Sequence, residues 1–183
     1  VQDRLNLSDE AIILPRLFDK QVQSWDCTFK DAETSDFVAG QVWAKKKADY
    51  FLLARRKEKL NFTATLKAIR EMSENWPNAR AKYVEDKANG SAVISVLENE
   101  ISGIIPVNPE GGKEVRANAV APVWESGNVY LPHPDYAPWV NEFLDELEAF
   151  PNGAHDDEVD AMTQALIKIT SSGRSLLERY RNG

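Results

Sequence analysis

The sequence has little of what several common kinds of functional site are built from. Among its 183 residues is one cysteine, Cys27, which excludes an internal disulfide framework and a cluster of thiolate metal ligands. The apolar runs are short, as at residues 50–54, and none is long enough to cross a membrane as a helix. Neither a Gly-x-Gly-x-x-Gly segment nor a Gly-Lys-Ser/Thr loop occurs, which excludes the usual phosphate-binding motifs. We therefore expect no membrane partner and no nucleotide site of these kinds.

The composition is that of a folded protein of ordinary domain size. Hydrophobic residues make up 43% and charged residues 28%, which is typical of globular domains. Residues 1–20 lack clear periodicity, and we interpret them as an arm or interdomain linker that precedes one domain over residues 21–183. Because the chain begins with Val1, we interpret it as a fragment of a longer protein or a processed product.

Charge is distributed unevenly along the chain. The 22 basic and 29 acidic residues give a net charge of −7, which argues weakly against binding nucleic acid by bulk attraction. Residues 40–70 nevertheless hold nine lysines and arginines against two acids, whereas residues 135–160 hold nine acids and no lysine or arginine. The pattern predicts one basic and one acidic surface, which either bind partners or are simply solvated.

Apolar periodicity predicts an α/β chain. Strands are predicted at residues 22–27, 37–44, 50–56, 82–85 and 103–107, with a brief extended piece at 129–131 and a basic turn at 45–49. Helices are predicted at residues 62–75, 91–99, 113–125, around 139–147 and at 156–170. Three strands in an antiparallel meander, extended by parallel strands through helical crossovers, make one mixed sheet flanked by helices. This element order is that of the ribonuclease H-like fold, which we predict here.

Acidic side chains stand at three points of the predicted sheet. They are Asp26 at the end of the first strand, Glu85 and Asp86 at the end of the fourth, and Asp156, Asp157, Glu158 and Asp160 at the start of the last helix. Taken singly, each has an ordinary explanation as a turn residue or as a complement to the helix dipole. Four acids in five positions fit that explanation poorly, because they repel one another. The helical phase places Asp156 nearer the apolar stripe than Asp157, but at a helix start either one remains a candidate.

Taken together, these acids indicate a shared metal site. In a ribonuclease H-like sheet the first and fourth strands are neighbours and the final helix packs beside them, so the acids can converge. Clustered carboxylates raise one another's pKa unless a cation neutralises them. Their hard oxygen ligands suit Mg²⁺ or Mn²⁺ and do not suit zinc. Two such ions about 3.5–4 Å apart are the arrangement by which nucleases clamp a phosphodiester and its attacking water.

Other chemically active residues offer weaker candidates. His155 precedes the paired aspartates and is a candidate for touching a phosphate or a water near the metals. His133 lies in a stiff Pro-His-Pro segment, which favours a surface residue. Cys27 follows Asp26 and is predicted to be a core residue at the strand end.

Three segments carry a resemblance to a known family. They are SWDCTFK at residues 24–30, YVEDKANG at residues 83–90 and HDDEVDA at residues 155–161. In this order, about 60 and 70 residues apart, they resemble the nuclease domain of tailed-phage terminase large subunits. The resemblance covers residues 22–166.

The resemblance implies a metal-dependent endonuclease that cuts concatemeric viral double-stranded DNA at the start and end of capsid filling. It implies that Asp26 and Glu85 are catalytic metal ligands, with Asp157 or Asp156 as the ligand at the helix start. We also expect Asp160, in the same acidic run, to be a metal ligand. The part played by Asp86 is left open. Water activated by two Mg²⁺ or Mn²⁺ ions would hydrolyse the phosphodiester and leave a 3′-hydroxyl and a 5′-phosphate.

The resemblance also implies partners and a place of action. An N-terminal ATPase domain of the same protein, a small terminase subunit, and the portal of the procapsid would be partners, in the host cell cytoplasm. Candidate contacts to DNA phosphates are Lys45, Lys46, Lys47, Arg55, Arg56, Lys113 and Arg116.

Two other functions fit the same residues. One is a different ribonuclease H-like enzyme, such as a Holliday-junction resolvase or a transposase-like strand-transfer domain. The other is a non-catalytic module that grips DNA or docks on the capsid, with acids that bind only a structural cation.

Overall fold

The computed structural model describes residues 14–27, 37–87 and 89–181, with side chains as far as Thr170. The strands in these ranges are β1 (Lys20–Asp26), β2 (Val38–Lys46), β3 (Asp49–Glu58), β4 (Ala81–Glu85), β5 (Ile104–Val107) and β6 (Val129–Tyr130). The helices are α1 (Phe62–Asn75), α2 (Gly90–Leu97), α3 (Lys113–Glu125), α4 (Val140–Ala149) and α5 (Asp157–Arg181). Residues 1–13 of the predicted arm, and residues 28–30 and 88 of the quoted motifs, lie outside the described residues.

The strands form one mixed sheet in the order β5-β4-β1-β2-β3-β6. Neighbours among β1, β2 and β3 pair antiparallel, as consecutive strands of a meander do. β4 then pairs parallel with β1, β5 parallel with β4, and β6 parallel with β3. The predicted α/β sheet, with three antiparallel strands extended by parallel ones, is confirmed.

Alternation along the strands divides the apolar interior between the two faces of the sheet. Val22 packs with residues of α3, α4 and α5, whereas Trp25 packs with residues of α1 and α2. Because successive side chains of a strand point to opposite faces, Ser24 and Asp26 share the α5 face with Val22. The first strand therefore brings Asp26 to the face that α5 covers.

The strand bounds follow the sequence prediction, with differences at the hairpin and at the chain ends. Lys45 and Lys46 belong to β2, so the predicted basic turn shrinks to Lys47 and Ala48, with Lys47 at a φ of 55°. β1 begins at Lys20, and the last helix continues past residue 170 to Arg181. Within the described ranges, no helix combines the length and the apolar character that a membrane span needs.

A β-bulge interrupts the pairing of β2 with β3. Val42 pairs with Ala54 but the next residue, Trp43, pairs with Leu52, so Leu53 is an extra residue on β3. Such an insertion exchanges the faces of the residues that follow it. Arg55 and Lys57 consequently point to the α5 face.

Candidate metal centre

Three carboxylates from three separate elements meet at one edge of the sheet. One carboxylate oxygen from each of Asp26, Glu85 and Asp160 lies within 4.8 Å of the other two. Asp26 ends β1 and Glu85 ends β4, and because these strands are parallel neighbours their carboxyl ends coincide. Asp160 comes from the first turn of α5, which packs across β1 and β2. The predicted convergence of strand ends and last helix is therefore present, with Asp160 as the helical member.

Gly90 allows Glu85 to end its strand directly against α2. A Cβ atom at Gly90 would stand 1.9 Å from the carbonyl oxygen of Glu85, so a side chain there would collide with the backbone. The adjacent Asp86 accepts a hydrogen bond from the hydroxyl of Ser91 in α2. Asp86 is thus engaged with the start of α2 and is not among the clustered acids.

The two aspartates that open the last helix have different surroundings. Asp157 is 6% exposed, and burial, followed by the charges of Asp26, Glu146 and Asp156, raises the pKa of Asp157 to about 7. Asp156 instead lies at the rim, where its Oδ1 accepts a hydrogen bond from Lys113 Nζ at 2.6 Å. The helical phase that placed Asp156 nearer the buried face is wrong at this first turn. Asp157 is the more buried of the two, and the charge of Asp26 acts on it.

Basic side chains form ion pairs with the clustered acids and offset part of their negative charge. Arg116 Nη2 lies 2.6 Å from Asp160 Oδ1, and Lys113 Nζ lies 2.8 Å from Asp160 Oδ2. Burial disfavours the charge on Lys113, but its hydrogen bonds to Asp156 and Asp160 outweigh this and raise the pKa of Lys113 above its ordinary value. Lys87 Nζ lies 3.5 Å from Glu85 Oε1. Lys113 and Arg116 therefore stand beside the acids, and their contact with DNA remains a prediction.

A cleft of about 250 Å³ opens beside the cluster. Glu85, Asp160, Arg116 and Gln164 contribute to its lining. The Nε2 of Gln164 donates to Ser24 Oγ at 2.9 Å and to the carbonyls of two strand residues, which fixes the orientation of the amide. Its Oε1 is buried and has no hydrogen-bond partner among the described residues.

These donors fit a hard divalent cation. Every clustered ligand atom is a carboxylate oxygen, the type that Mg²⁺ and Mn²⁺ prefer. A buried amide oxygen without a partner beside them is suited to accept a hydrogen bond from a metal-bound water. Gln164 was missed in the sequence, although its position one turn after Asp160 was the signal that would have found it.

The remaining basic candidates are not gathered at this site. The lysine hairpin pairs with the start of β1, since Lys45 lies opposite Lys20 while Ala39 lies opposite Asp26. Six strand residues separate the two ends, a distance of about 20 Å. Lys46 lies 3.1 Å from Asp19. The structure therefore does not bring Lys45, Lys46 and Lys47 together with the acids, and DNA contact there stays a prediction.

Arg55 and Arg56 are both held in internal ion pairs. Arg55 Nε lies 2.7 Å from Glu158 Oε1 on the α5 face, with only 8% of its side chain exposed. Arg56 pairs with Glu58 and Glu71, the latter on α1 across the sheet. Adjacent strand residues face opposite sides of the sheet, so the two arginines do not share one surface, and DNA contact at either one stays a prediction.

Cys27 and His133 lie where the sequence predicted, while contact of His155 with a phosphate or a water stays a prediction. Cys27 is buried, and burial together with the charges of Asp26 and Glu85 raises the pKa of its thiol. His155 Nδ1 lies 4.0 Å from Asp157 Oδ2. His133 is exposed and lies near Asp135, away from the clustered acids.

Comparison with protein families agrees with this arrangement. The family model described as the terminase RNaseH-like domain matches residues 23–169, a span that includes every clustered acid. No curated protein sequence matches the chain.

Solved structures with the same fold come from bacteriophage large terminases. The nuclease of the large terminase from thermophilic phage G20c, solved with bound zinc, has 18% identity and a TM-score of 0.59 over 79% of this chain and 78% of that one. The nuclease domain of the SPP1 large terminase, solved with bound Mn, has 15% identity and a TM-score of 0.58 over 82% and 87%. The large terminase of a second thermophilic bacteriophage has 14% identity and a TM-score of 0.64, and the match covers 86% of this chain but 41% of that one. The predicted ribonuclease H-like fold is confirmed.

Proposed function

The chain belongs to the terminase RNaseH-like domain family, and we propose that it is a metal-dependent endonuclease that hydrolyses phosphodiester bonds of double-stranded DNA. The observation that carries the proposal is the meeting of Asp26, Glu85 and Asp160 within 4.8 Å beside an open cleft. Similar nucleases solved with bound zinc, cobalt, manganese and magnesium support a divalent cation, and the all-oxygen donor set favours Mg²⁺ or Mn²⁺. We infer two ions, because buried Asp157, whose pKa is raised by burial and then by the charge of Asp26, adds a fourth acid to the three clustered ones.

Each residue of the site has a separate task in this proposal. Asp26, Glu85, Asp157 and Asp160 would hold the ions, which when bound supply the charge that activates water and stabilises the leaving oxygen. Asp26 would hold an ion together with Glu85 and Asp160, which both lie within 4.8 Å of it. Lys113 lies at the rim, where its ammonium can meet a DNA phosphate as a point charge.

The role in the whole protein is proposed by analogy with large terminases. We infer that the domain cuts concatemeric viral DNA during packaging in the host cell cytoplasm, at the start and end of capsid filling. An ATPase domain of the same protein, the small terminase subunit and the portal of the procapsid are the partners this role requires. The large terminase of the second thermophilic bacteriophage was also solved in complex with ATP-gamma-S, which is consistent with an ATPase in such a protein.

A plasmid assay tests the proposed activity. Supercoiled DNA should be nicked and linearised in Mg²⁺ or Mn²⁺ at least about 1,000-fold faster than in EDTA, because the activating charge comes from the ions. Linear and four-way-junction DNA serve as comparison substrates. Bound but uncut DNA in every metal would favour the non-catalytic module, and selective cutting of junctions would favour a resolvase.

Salt dependence tests where DNA lies on the surface. Each neutralised phosphate contributes roughly 0.9 to the slope of log K against log salt. Replacing Lys87 and Lys113, which lie beside the clustered acids, by alanine should therefore flatten the slope by about two units in EDTA. Replacing Lys45, Lys46 and Lys47 by alanine should flatten it by about two to three units if the duplex also reaches the hairpin. A hairpin variant with the wild-type slope would remove that end of the sheet from the DNA path.

A further inference from the structure

The first turn of α5 contacts a group of four charged side chains, of which the two acids are buried and the two bases are partly buried. They are Arg55 and Lys57 of β3, Glu146 of α4 and Glu158 of α5, which we call the α5 clamp. Arg55 donates to both oxygens of Glu158, from Nε at 2.7 Å and from Nη2 at 2.8 Å. Lys57 binds Glu146 and stands 3.6 Å from Glu158. Arg55 also pairs with the exposed Glu142 at 2.9 Å, while the completely buried carboxylate of Glu158 has both of its oxygens hydrogen-bonded by Arg55.

Glu146 also caps α5 from a neighbouring helix. Its Oε1 accepts the backbone N–H of Glu158 at 2.6 Å and that of Val159 at 3.4 Å. The first N–H groups of a helix have no partner inside the helix, and a carboxylate there also complements the helix dipole. On the other side of the turn, Gln41 Nε2 donates to the backbone carbonyl of Glu158 at 3.0 Å. Side chain and backbone of this turn are therefore both tied to the sheet and to α4.

The β-bulge explains how both bases reach this place. Regular alternation from Tyr50 and Leu52 would put Arg56 on the α5 face, whereas the extra residue Leu53 puts Arg55 and Lys57 there. Lys57 pairs with Ala39, which itself pairs with Asp26, so Lys57 lies two strands away from Asp26, about 10 Å. The clamp is thus built into the same end of the sheet as the clustered acids.

We propose that the α5 clamp positions Asp157 and Asp160, and that Arg55, Lys57 and Glu146 are positioning residues for metal binding. The inference rests on the proposed function, since it names what aligns the ligands of that site. Glu158 lies between the two aspartates on the same turn. A turn that rotates about the helix axis carries both aspartates away from Asp26 and Glu85, and the clamp opposes that rotation.

The test removes the central ion pair without leaving a buried charge. In the double variant Arg55→Met with Glu158→Gln, we expect Mn²⁺ affinity measured by calorimetry to fall about 10- to 100-fold, as for loss of groups that orient metal ligands. Cleavage should recover at high Mn²⁺, because the ligands themselves remain. The matched control is Arg70→Met with Glu100→Gln, which removes a doubly hydrogen-bonded arginine–glutamate pair on the α1 side of the sheet. Its Mn²⁺ affinity should equal that of the wild type.

The outcomes separate this inference from the proposed function. A folded double variant with wild-type Mn²⁺ affinity overturns the clamp, even if its melting temperature falls. If the double variant does not fold, Glu146→Ala provides the test, because it removes the cap of α5 while Glu158 still neighbours Lys57. Wild-type Mn²⁺ affinity in Glu146→Ala would also overturn the clamp. Wild-type protein that binds Mn²⁺ but leaves DNA uncut overturns the nuclease and leaves the clamp to be judged by calorimetry. Wild-type protein that binds no Mn²⁺ overturns both.

Discussion

Replacing Asp26 by asparagine is expected to reduce DNA cleavage by about 1,000-fold or more, equivalent to ~4 kcal/mol of barrier. Asp26 lies within 4.8 Å of Glu85 and Asp160, and its charge contributes to the raised pKa of Asp157. Asp26 therefore lies close to, or acts electrostatically on, each of the other three acids of the site. The amide keeps the shape of the side chain but removes the charge that holds a cation. Single-turnover plasmid cleavage in Mn²⁺, with circular dichroism as the check on folding, measures the effect.

Melting temperatures provide the control for this variant. Mn²⁺ at about 100 times its dissociation constant should stabilise the wild type by ~2.7 kcal/mol, because the ion binds the folded arrangement. The Asp26→Asn variant should gain clearly less. In EDTA it should melt no lower than the wild type, since one of several mutually repelling acids is gone. An equal gain from Mn²⁺ in both proteins would mean that the ion binds elsewhere.

The positions of the two acids at the strand ends were predictable from local sequence. Asp26 follows a stretch in which apolar and polar residues alternate, and Glu85 follows the apolar pair Tyr83-Val84. The element order places their strands side by side. Side chains alternate between the two faces of the sheet along a strand, so Asp26 lies on the same face as Val22. The order of the elements and the alternation of apolar residues can be read from neighbouring residues. The element order then indicates which parallel strands end side by side.

The arrangement at the start of α5 was not predictable in the same way. A helical wheel treats the first turn as part of a regular helix and brings Asp156 inward. In the structure the helix begins at Asp157, and its first turn is oriented by Glu146 of α4 and Arg55 of β3. These contacts join residues far apart in sequence, so no local pattern reveals them.

Two groups of basic residues differ in how far their positions could be predicted from the sequence. The roles of Arg55 and Arg56 depend on the bulge at Leu53, which no residue pattern in the strand announces. The position of the hairpin lysines, in contrast, was predictable from the sequence. An antiparallel meander places the turn after its second strand beside the start of its first strand, so the predicted topology already put these lysines at the end opposite Asp26.

Replacing Asp160 by asparagine is expected to cost cleavage about 100-fold or more, whereas Asp156→Asn should cost at most about fivefold. Asp160 is 5% exposed and belongs to the carboxylate cluster. Asp156 lies at the rim, where its pair with Lys113 joins two side chains that are 36% and 47% exposed. Exposed pairs of this kind contribute up to about 1 kcal/mol, the equivalent of the fivefold limit. Cleavage rates at saturating Mn²⁺ compare the two variants directly.

Asp160 also neutralises the buried guanidinium of Arg116, so its loss has a structural cost that must be separated from a catalytic one. The single variant leaves Arg116 without its 2.6 Å partner, a change that destabilises by roughly 3–5 kcal/mol in comparable buried pairs. Asp160→Asn combined with Arg116→Gln replaces the ion pair by two neutral groups and should restore the melting temperature in EDTA. If Asp160 is a metal ligand, the double variant stays inactive although it is stable. A double variant that cleaves DNA at the wild-type rate would show that Asp160 serves only to balance Arg116. The helical ligand would then be Asp157 alone.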